Sequence, residues 1–338
     1  MPKFNDLLNL IVQGMPLTYQ QALDFQNLIL NNNFQEVDLV SAFGYLESRP
    51  LTYEELKGFY DSSKKAMVKV ETEFKTLDTC GTGGDQSGSF NISTVAAIIA
   101  SADGVPVAKH GNRAASSKCG SADVLEALGV NIDLDKDRAE ACLKKYGFVF
   151  LMAKNFHPAF RFAAPARKIY GKRTYFNLLG PLLNPASAEY RVHGFADTSQ
   201  VENLGKLLME SGVKRAWLVH SEDGLDEISP CLPTKVREFA QGEEPKIFEI
   251  NPERYGYKNL QLSEIKGGDA KINAKIIENI LNNEANQSQT AVAVLNAAAG
   301  LAVFGKAESF EQGIEIAKQT LASGKALEKL GEIRTYAP

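Results

Sequence analysis

Leu8, Ile11, Val12 and Met15 recur at the spacing of one face of an amphipathic helix. Thr18 and Gln21 form a capping-box pair ahead of Ala22, Phe25 and Ile29, and Thr52 and Glu55 repeat the device ahead of Leu56, Phe59 and Met67. Between them, Val37, Val40, Phe43 and Leu46 predict a further helix. Residues 1–70 therefore read as four helices with short connections and no strand, a small helical unit.

The pattern changes near Thr76, where short β-branched or aromatic runs begin to alternate with helical spacing. A helix is predicted over 93–103, then Gly104 and a strand over 105–108. Helices follow over 121–128 and over 135–146, the latter stopping at Gly147, with a strand over 148–152. A helix over 199–211 precedes a strand over 215–220, 236–250 reads as a hairpin or excursion, and two helices close the pattern at 288–304 and 308–323. Such alternation predicts an α/β domain with a mainly parallel sheet. Residues 157–185 interrupt it, combining Pro and Gly with six basic residues counting His157. An excursion of that length is usually functional, the alternative being a solvated charged surface.

Composition narrows the class. The 338 residues predict about two domains on a prior of roughly 150 residues each. Lys and Arg number 37 against 41 Asp and Glu, a formal charge of −4, which argues against a general nucleic-acid binder while leaving room for a local basic pocket. No apolar run reaches the length of a membrane span, and the longest, 291–305, contains Asn296 and reads as a buried helix. Asp6, Asn9 and Gln13 break the N-terminal segment, so no secretory signal is expected. Cys80, Cys119, Cys142 and Cys231 show no metal-ligand spacing and read as reduced thiols of a cytoplasmic protein.

The densest chemical signal is DTCGTGGDQSGSFNIST (78–94), with Gly81, Gly83, Gly84 and Gly88 inside eight residues. Glycines let backbone N–H groups approach an anion, and the helix opening at Ser93 and Thr94 presents unpaired N–H groups that favour phosphate. A Walker A loop would need Lys after Gly88, where Ser89 stands, and a dinucleotide fingerprint would need Gly at 86, where Gln86 stands. A second phosphate-friendly loop runs through Lys109, His110, Asn112, Arg113, Ser116, Ser117 and Lys118 to a helix starting at Ser121. Two such loops suggest a ligand with phosphates at two ends, lying at the carboxyl ends of the strands. HSEDGLDEIS (220–229) adds Glu222, Asp223, Asp226 and Glu227, which suit a Mg²⁺ site shared with phosphate oxygens or, failing that, a solvated acidic turn. No nucleophile elbow, zincin motif or EF-hand loop is present, and the four histidines are scattered.

GTGGD (81–85), FNIST (90–94), KHGNRAASS (109–117), GSADVLEALG (120–129), RTYFNLLGPLLNP (173–185) and GLDEIS (224–229) together resemble the anthranilate phosphoribosyltransferase family. The resemblance covers nearly the whole chain in order. It implies a nucleoside phosphorylase/phosphoribosyltransferase-like fold: a small all-helical domain of 1–70 joined by about 160–185, and a large α/β domain of 71–159 and 186–338 with a mainly parallel central sheet. It further implies transfer of 5-phosphoribosyl from phosphoribosyl pyrophosphate (PRPP) to the anthranilate amine in tryptophan biosynthesis, with two Mg²⁺ ions and a homodimer formed through the helical domain. Association with a separate anthranilate synthase stays open, and no fused glutamine amidotransferase is expected.

Carried over position by position, the resemblance places Gly81, Gly84, Asp85, Asn91, Ser93 and Thr94 on the pyrophosphate and ribose of the donor. It places Lys109, Asn112, Ser117 and Ser121 on further donor contacts, with Ser89, Gly111 and Ser116 in the same substrate-binding set. Ser93, Asp226 and Glu227 match metal ligands, Glu227 bridging the two ions. Arg167 matches the group that meets the anthranilate carboxylate, and His110, Asn112, His157 and Gly180 the rest of the acceptor channel. Lys109 and Arg167 are the expected catalytic residues. Ser221, where glycine often stands, and Phe160, at a position that varies, depart from the commonest pattern, as do Cys119 and the loop DQSGS (85–89). Two other readings share the architecture. A non-catalytic, nucleic-acid-binding relative would need a basic groove and a damaged site, and a pyrimidine nucleoside phosphorylase would not need the acidic pair.

Overall fold

The computed structural model describes residues 2–114 and 118–336, so the expectations for Ser116 and Ser117 lie outside the described residues. Helices α1 (Phe4–Val12), α2 (Tyr19–Leu30), α3 (Glu36–Leu46) and α4 (Tyr53–Ala66) fill the N-terminal segment. Both predicted capping boxes form: the Thr18 side chain accepts from the Gln21 N–H, and the Thr52 side chain from the Glu55 N–H. Their apolar faces meet in a core holding Phe4, Phe25, Phe43 and Phe59.

Among the described residues the sheet has seven strands: β1 (Leu77–Gly81), β2 (Val107–Gly111), β3 (Phe148–Met152), β4 (Tyr190–Gly194), β5 (Arg215–Ser221), β6 (Thr234–Ala240) and β7 (Lys246–Ile250). The order is β3-β2-β1-β4-β5-β6-β7. The first five strands run parallel, while β6 and β7 add on antiparallel as the expected hairpin. The strand expected at 105–108 begins two residues later, at Val107, and runs to Gly111. After β1 the chain builds β2 and β3 on one side and then β4 and β5 on the other. The order therefore reverses at the β1/β4 pair, where open parallel sheets leave a crevice at the carboxyl ends of the strands.

One face of the sheet is covered by α5 (Ile92–Ala102), α6 (Ser121–Ala127), α12 (Ala270–Leu281), α13 (Gln287–Phe304), α14 (Phe310–Ala322) and α15 (Lys325–Arg334). The Ala-rich α13 is buried on nearly all sides, as its continuous apolar sequence predicts. The other face meets α7 (Lys136–Tyr146), α8 (Ala153–Phe156) and α11 (Val201–Glu210). Residues 157–185 form two 3-10 turns with α9 (Ala164–Tyr170) and α10 (Tyr175–Leu179). These pack into the core of α1–α4: the Tyr175 ring stacks on Phe59 with centroids 4.5 Å apart, and its hydroxyl donates to Gln26 Oε1 at 2.6 Å. Among the described residues no helix is long and apolar enough to cross a membrane.

The strands flanking the switch carry buried charge. Asp78 accepts from the His110 N–H at 3.3 Å and from Asn184 Nδ2 at 2.8 Å. Burial would raise its pKa, but His193, Arg191 and Asn184 outweigh it and hold the carboxyl at about 2. Arg191, fully buried, spends its guanidinium on the carbonyls of Pro181, Leu182 and Ala188, tying β4 to the end of the helical excursion. Asp78, Cys80 and His193 bring ligand atoms within 4.8 Å of one another. Lys109 and Arg191 face the same cluster, and two fixed cations disfavour a divalent ion there.

Candidate active site

Gly81 and Gly194 are register partners at the ends of β1 and β4. Asp226 occupies the space that side chains on these residues would fill. A Cβ on Gly81 would lie 2.5 Å from Asp226 Oδ2, and one on Gly194 would lie 1.5 Å from the Asp226 carbonyl oxygen. The loop after β1 continues through Gly83, Gly84 and Gly88, all with positive φ. The Gly83 N–H donates to Asp226 Oδ2 at 2.7 Å, and Asp85 Oδ2 accepts from the Asp226 N–H at 3.4 Å.

Asp85, Asp226 and Glu227 thus converge. Burial first, then the charge of Asp85, pushes Asp226 up to about 7. Burial first, then the charge of Asp226, pushes Glu227 up to about 8, with Lys109 opposing. Glu227 also faces the backbone N–H of Ser93 in the first turn of α5, so the fold brings Ser93, Asp226 and Glu227 together. Asp85 belongs with them, although the sequence reading places it only on the donor. Asn296 of α13 holds this loop from beneath: its Oδ1 accepts from the Ile228 N–H at 2.9 Å, and its Nδ2 donates to the Ile228 carbonyl at 2.9 Å. The one polar residue in that apolar stretch was the available signal.

Lys109 is 1% exposed on β2, and its Nζ donates to the Thr79 carbonyl at 2.5 Å and to Ser93 Oγ at 3.1 Å. Burial lowers its pKa, while Asp78, Cys80 and Glu227 pull the other way. It therefore lies beneath the β1 loop and at the start of α5, on the side of the acidic residues. Thr94, also in that first turn, is fully buried with Oγ1 unpartnered. Asn91 is held by Asn273 of α12, whose Nδ2 donates to its Oδ1 at 2.9 Å, and itself donates to the Cys119 carbonyl at 3.3 Å. Ser89 forms an isolated β-bridge with Lys266, closing the far end of the glycine loop. Asn112 and Gly111 sit at the end of β2, where the Asn112 carbonyl accepts from the Ala122 N–H at 3.2 Å and from Ser121 Oγ at 3.5 Å. Ser221 is buried in the turn that opens the acidic loop, its carbonyl accepting from the Gly224 N–H at 2.9 Å.

Beside this polar end runs a line of rings. His110 and His157 have centroids 5.1 Å apart, His157 stacks on Phe160 at 5.1 Å, and Phe160 meets Phe176 edge-on at 5.1 Å. The Arg167 guanidinium lies over Phe176, 5.3 Å from its centroid, and donates to Asn177 Oδ1 at 3.2 Å. His157 Nε2 lies 2.9 Å from the Leu183 carbonyl, and Gly180 offers its carbonyl to His110. Burial, then the neighbouring His157, holds His110 at about 3, and burial holds His157 at about 4. Both imidazoles are therefore neutral near pH 7. A cavity of about 550 Å³ opens next to this line, bordered by Glu47, Arg173, Asn177, Thr82, Gly84 and Asp197. Of these, only Gly84 was among the expected site residues; Glu47, Arg173, Asn177, Thr82 and Asp197 were not. Arg173 and Asn177 stand in the RTYFN segment (173–177) and were within reach of that signal.

A line of rings ending in a guanidinium, beside a glycine loop and an acidic cluster, suits an aromatic anion meeting a phosphorylated donor. Comparisons with known proteins agree. The family described as "Glycosyl transferase family, a/b domain" matches residues 73–327. The anthranilate phosphoribosyltransferase of Desulfatibacillum aliphaticivorans is 43% identical over 97% of this chain and 96% of its own length. That of Methanobrevibacter smithii is 42% identical over 96% and 97%. The crystal structure of the Thermus thermophilus enzyme superposes with a TM-score of 0.90 at 35% identity, covering 97% of this chain and 98% of that one. The Saccharomyces cerevisiae enzyme in complex with PRPP and Mg shares the fold, with a TM-score of 0.86 at 24% identity. With its fold and its likeness over nearly the whole chain in accord, the chain belongs to the anthranilate phosphoribosyltransferase family.

Proposed function

We propose that this chain transfers the 5-phosphoribosyl group of PRPP to the amine of anthranilate, giving N-(5-phosphoribosyl)anthranilate and pyrophosphate in tryptophan biosynthesis. The carrying observation is the Arg167-terminated ring line of His110, His157, Phe160 and Phe176, set beside Lys109 and the Asp85–Asp226–Glu227 cluster at the sheet's switch point. In this reading Arg167 takes the anthranilate carboxylate, and the rings hold its benzene face. The residues from Gly81 to Thr94 and from Lys109 to Ser121 take PRPP.

The acidic cluster fits Mg²⁺, because its donors are all oxygen and its carboxylates repel one another without a cation between them. Ser93, Asp226 and Glu227 would hold two ions, with Asp85 close by. Bound there, Mg²⁺ supplies Lewis-acid stabilisation to the pyrophosphate leaving group.

Lys109 adds a fixed positive charge toward the departing pyrophosphate in a dry site, where such charge is worth several kcal/mol. Arg167 fixes the direction of the amine, so positioning supplies much of the rest. The neutral His110 and His157 add no charge near the oxocarbenium-like centre and leave the weakly basic amine unprotonated. No general base is required.

The helical segment 1–70 with about 160–185 acts as an acceptor-carrying domain against the rest of the chain. It pairs with a second copy through α1, α3 and α9, where Val12, Val37, Tyr45 and Ile169 are exposed. A cytoplasmic location belongs to the same reading. The test is loss of anthranilate fluorescence with PRPP, with and without Mg²⁺. Loss that needs both donor and metal supports the assignment, and no loss from folded protein under either condition overturns it.

A further inference from the structure

Arg173 leaves the turn between α9 and α10 and reaches across to the glycine loop after β1. Its guanidinium donates to the Gly83 carbonyl and, at 3.2 Å, to the Thr82 carbonyl. Each of these carbonyls shares a peptide plane with the N–H of the next residue. In a trans peptide the two point in opposite directions, and no cis peptide is present among the described residues. Fixing the Thr82 and Gly83 carbonyls therefore fixes where the Gly83 and Gly84 N–H groups point. The first consequence is visible, since the Gly83 N–H meets Asp226 Oδ2 at 2.7 Å. The glycines that free this loop to approach an anion also leave its peptide planes free to rotate, so something outside the loop must choose their orientation.

The base of Arg173 is itself held from two sides. The next residue, Thr174, gives its N–H to Asn177 Oδ1 at 3.0 Å, the same oxygen that accepts from Arg167. The Tyr175 N–H is taken by Glu47 Oε1 at 2.5 Å. Arg173 thus grows from the turn that carries the acceptor-side groups and ends on the donor loop.

We propose that Arg173 is a positioning residue for the PRPP-binding loop, orienting the Thr82–Gly83 and Gly83–Gly84 peptides so that their N–H groups face Asp226 and the donor. The inference rests on the donor assignment above. Its mechanism is the two-carbonyl grip and not merely positive charge toward Asp226, and a lysine in its place offers one compact ammonium in place of a planar fork.

The test compares wild type, Arg173→Ala and Arg173→Lys in three measurements: PRPP binding by calorimetry with Mg²⁺ and no acceptor, steady-state kinetics with both substrates varied, and ligand-free melting. Arg173→Ala should weaken PRPP binding and raise KM for PRPP at least fivefold, with KM for anthranilate changed less than twofold. Arg173→Lys should resemble Ala. Melting should move by less than about 2 °C, because the side chain is exposed and buries little apolar area. PRPP binding unchanged within twofold in Arg173→Ala overturns the proposal. So does full recovery in Arg173→Lys, which would reduce Arg173 to an electrostatic neighbour of Asp226. A wild type that neither binds PRPP nor turns over would instead overturn the functional reading.

Discussion

Gly194 on β4 lies so close to Asp226 that a Cβ added to it would stand 1.5 Å from the Asp226 carbonyl oxygen. The partner Gly81 is crowded by the same aspartate, so two paired strand ends are shaped to admit the acidic loop. No rotamer change relieves a clash with backbone. Gly194→Ala must push the 226–227 segment away from the glycine loop, a strain of about 1–3 kcal/mol. We expect kcat to fall at least tenfold and urea unfolding to show the lost stability. An alanine variant with wild-type kcat would mean that the position of Asp226 is not critical.

Asn296 makes the complementary contribution from below. It satisfies both the N–H and the carbonyl of Ile228, and its Nδ2 also reaches the Val292 carbonyl at 2.9 Å. Leucine preserves its bulk but strands two buried backbone groups, each costing about 1–3 kcal/mol. Asn296→Leu should lower the unfolding free energy by about 2–6 kcal/mol in urea titration and raise the Mg²⁺ concentration needed for half-maximal rate. Loss of stability with an unchanged Mg²⁺ requirement would confine Asn296 to the core.

The helical segment was legible because its capping boxes are local signals, and each of its four helices forms, but the apolar spacing misplaced two faces. Helix α1 buries Phe4, Leu7 and Ile11 and α3 buries Leu39, Ala42, Phe43 and Leu46, while Val12, Met15 and Val37 are exposed. The β1 and β4 strands were not named, because their sequences LDTCG and YRVHG place Asp78, Arg191 and His193 where a buried strand usually has apolar residues. Those charges are tolerated only through partners that the fold supplies: Asn184 and His193, distant in sequence, for Asp78, and the nearby carbonyls of Pro181, Leu182 and Ala188 for Arg191. The helices α12 and α15 carry ordinary apolar spacing in Ile277, Ile280 and Leu281 and in Ala326, Leu330 and Ile333, and were legible though unnamed. At the site, motif residues could be read from spacing and resemblance. Arg173, Asn296 and Asn273 act on loops far away in sequence, which only the fold brings to them.

His110 and His157 give the protein a measurable acid sensitivity. Burial is the main cause of both depressed values, about 3 and about 4, against about 6.5 in an unfolded chain. Below pH 6.5 the unfolded chain takes up protons that the folded one refuses. Their contribution is therefore complete above pH 6.5 and is lost as pH falls toward 4, by up to about 1.4 kcal/mol per pH unit for each histidine. The raised carboxylates Asp226 and Glu227 act in the opposite sense across part of this range in metal-free protein. The informative quantity is thus the difference between wild type and His157→Gln, which keeps a donor for the Leu183 carbonyl. Between pH 6 and 4.5 wild type should lose stability relative to the variant in urea titrations at stepped pH. A difference independent of pH would show that His157 is not held neutral.

The acceptor role proposed for Arg167 predicts that its replacement separates acceptor recognition from donor binding. Its guanidinium combines a planar face on Phe176 with a fork able to meet a carboxylate through two hydrogen bonds. Lysine keeps the charge and loses both the stacking and the second hydrogen bond. Charge-assisted hydrogen bonds of this kind contribute about 1.5–3 kcal/mol, so Arg167→Lys should raise KM for anthranilate roughly tenfold to a hundredfold. Among the described residues no hydrogen bond joins Arg167 directly to the glycine loop: its path runs through Asn177 and Thr174 to Arg173. KM for PRPP should accordingly stay within twofold, the opposite of the pattern expected for Arg173. Two-substrate kinetics on both variants checks the contrast. If Arg167→Lys instead raised KM for PRPP and left anthranilate unaffected, the ring line would not be the acceptor slot, and the aromatic anion would have to be placed elsewhere in the cleft.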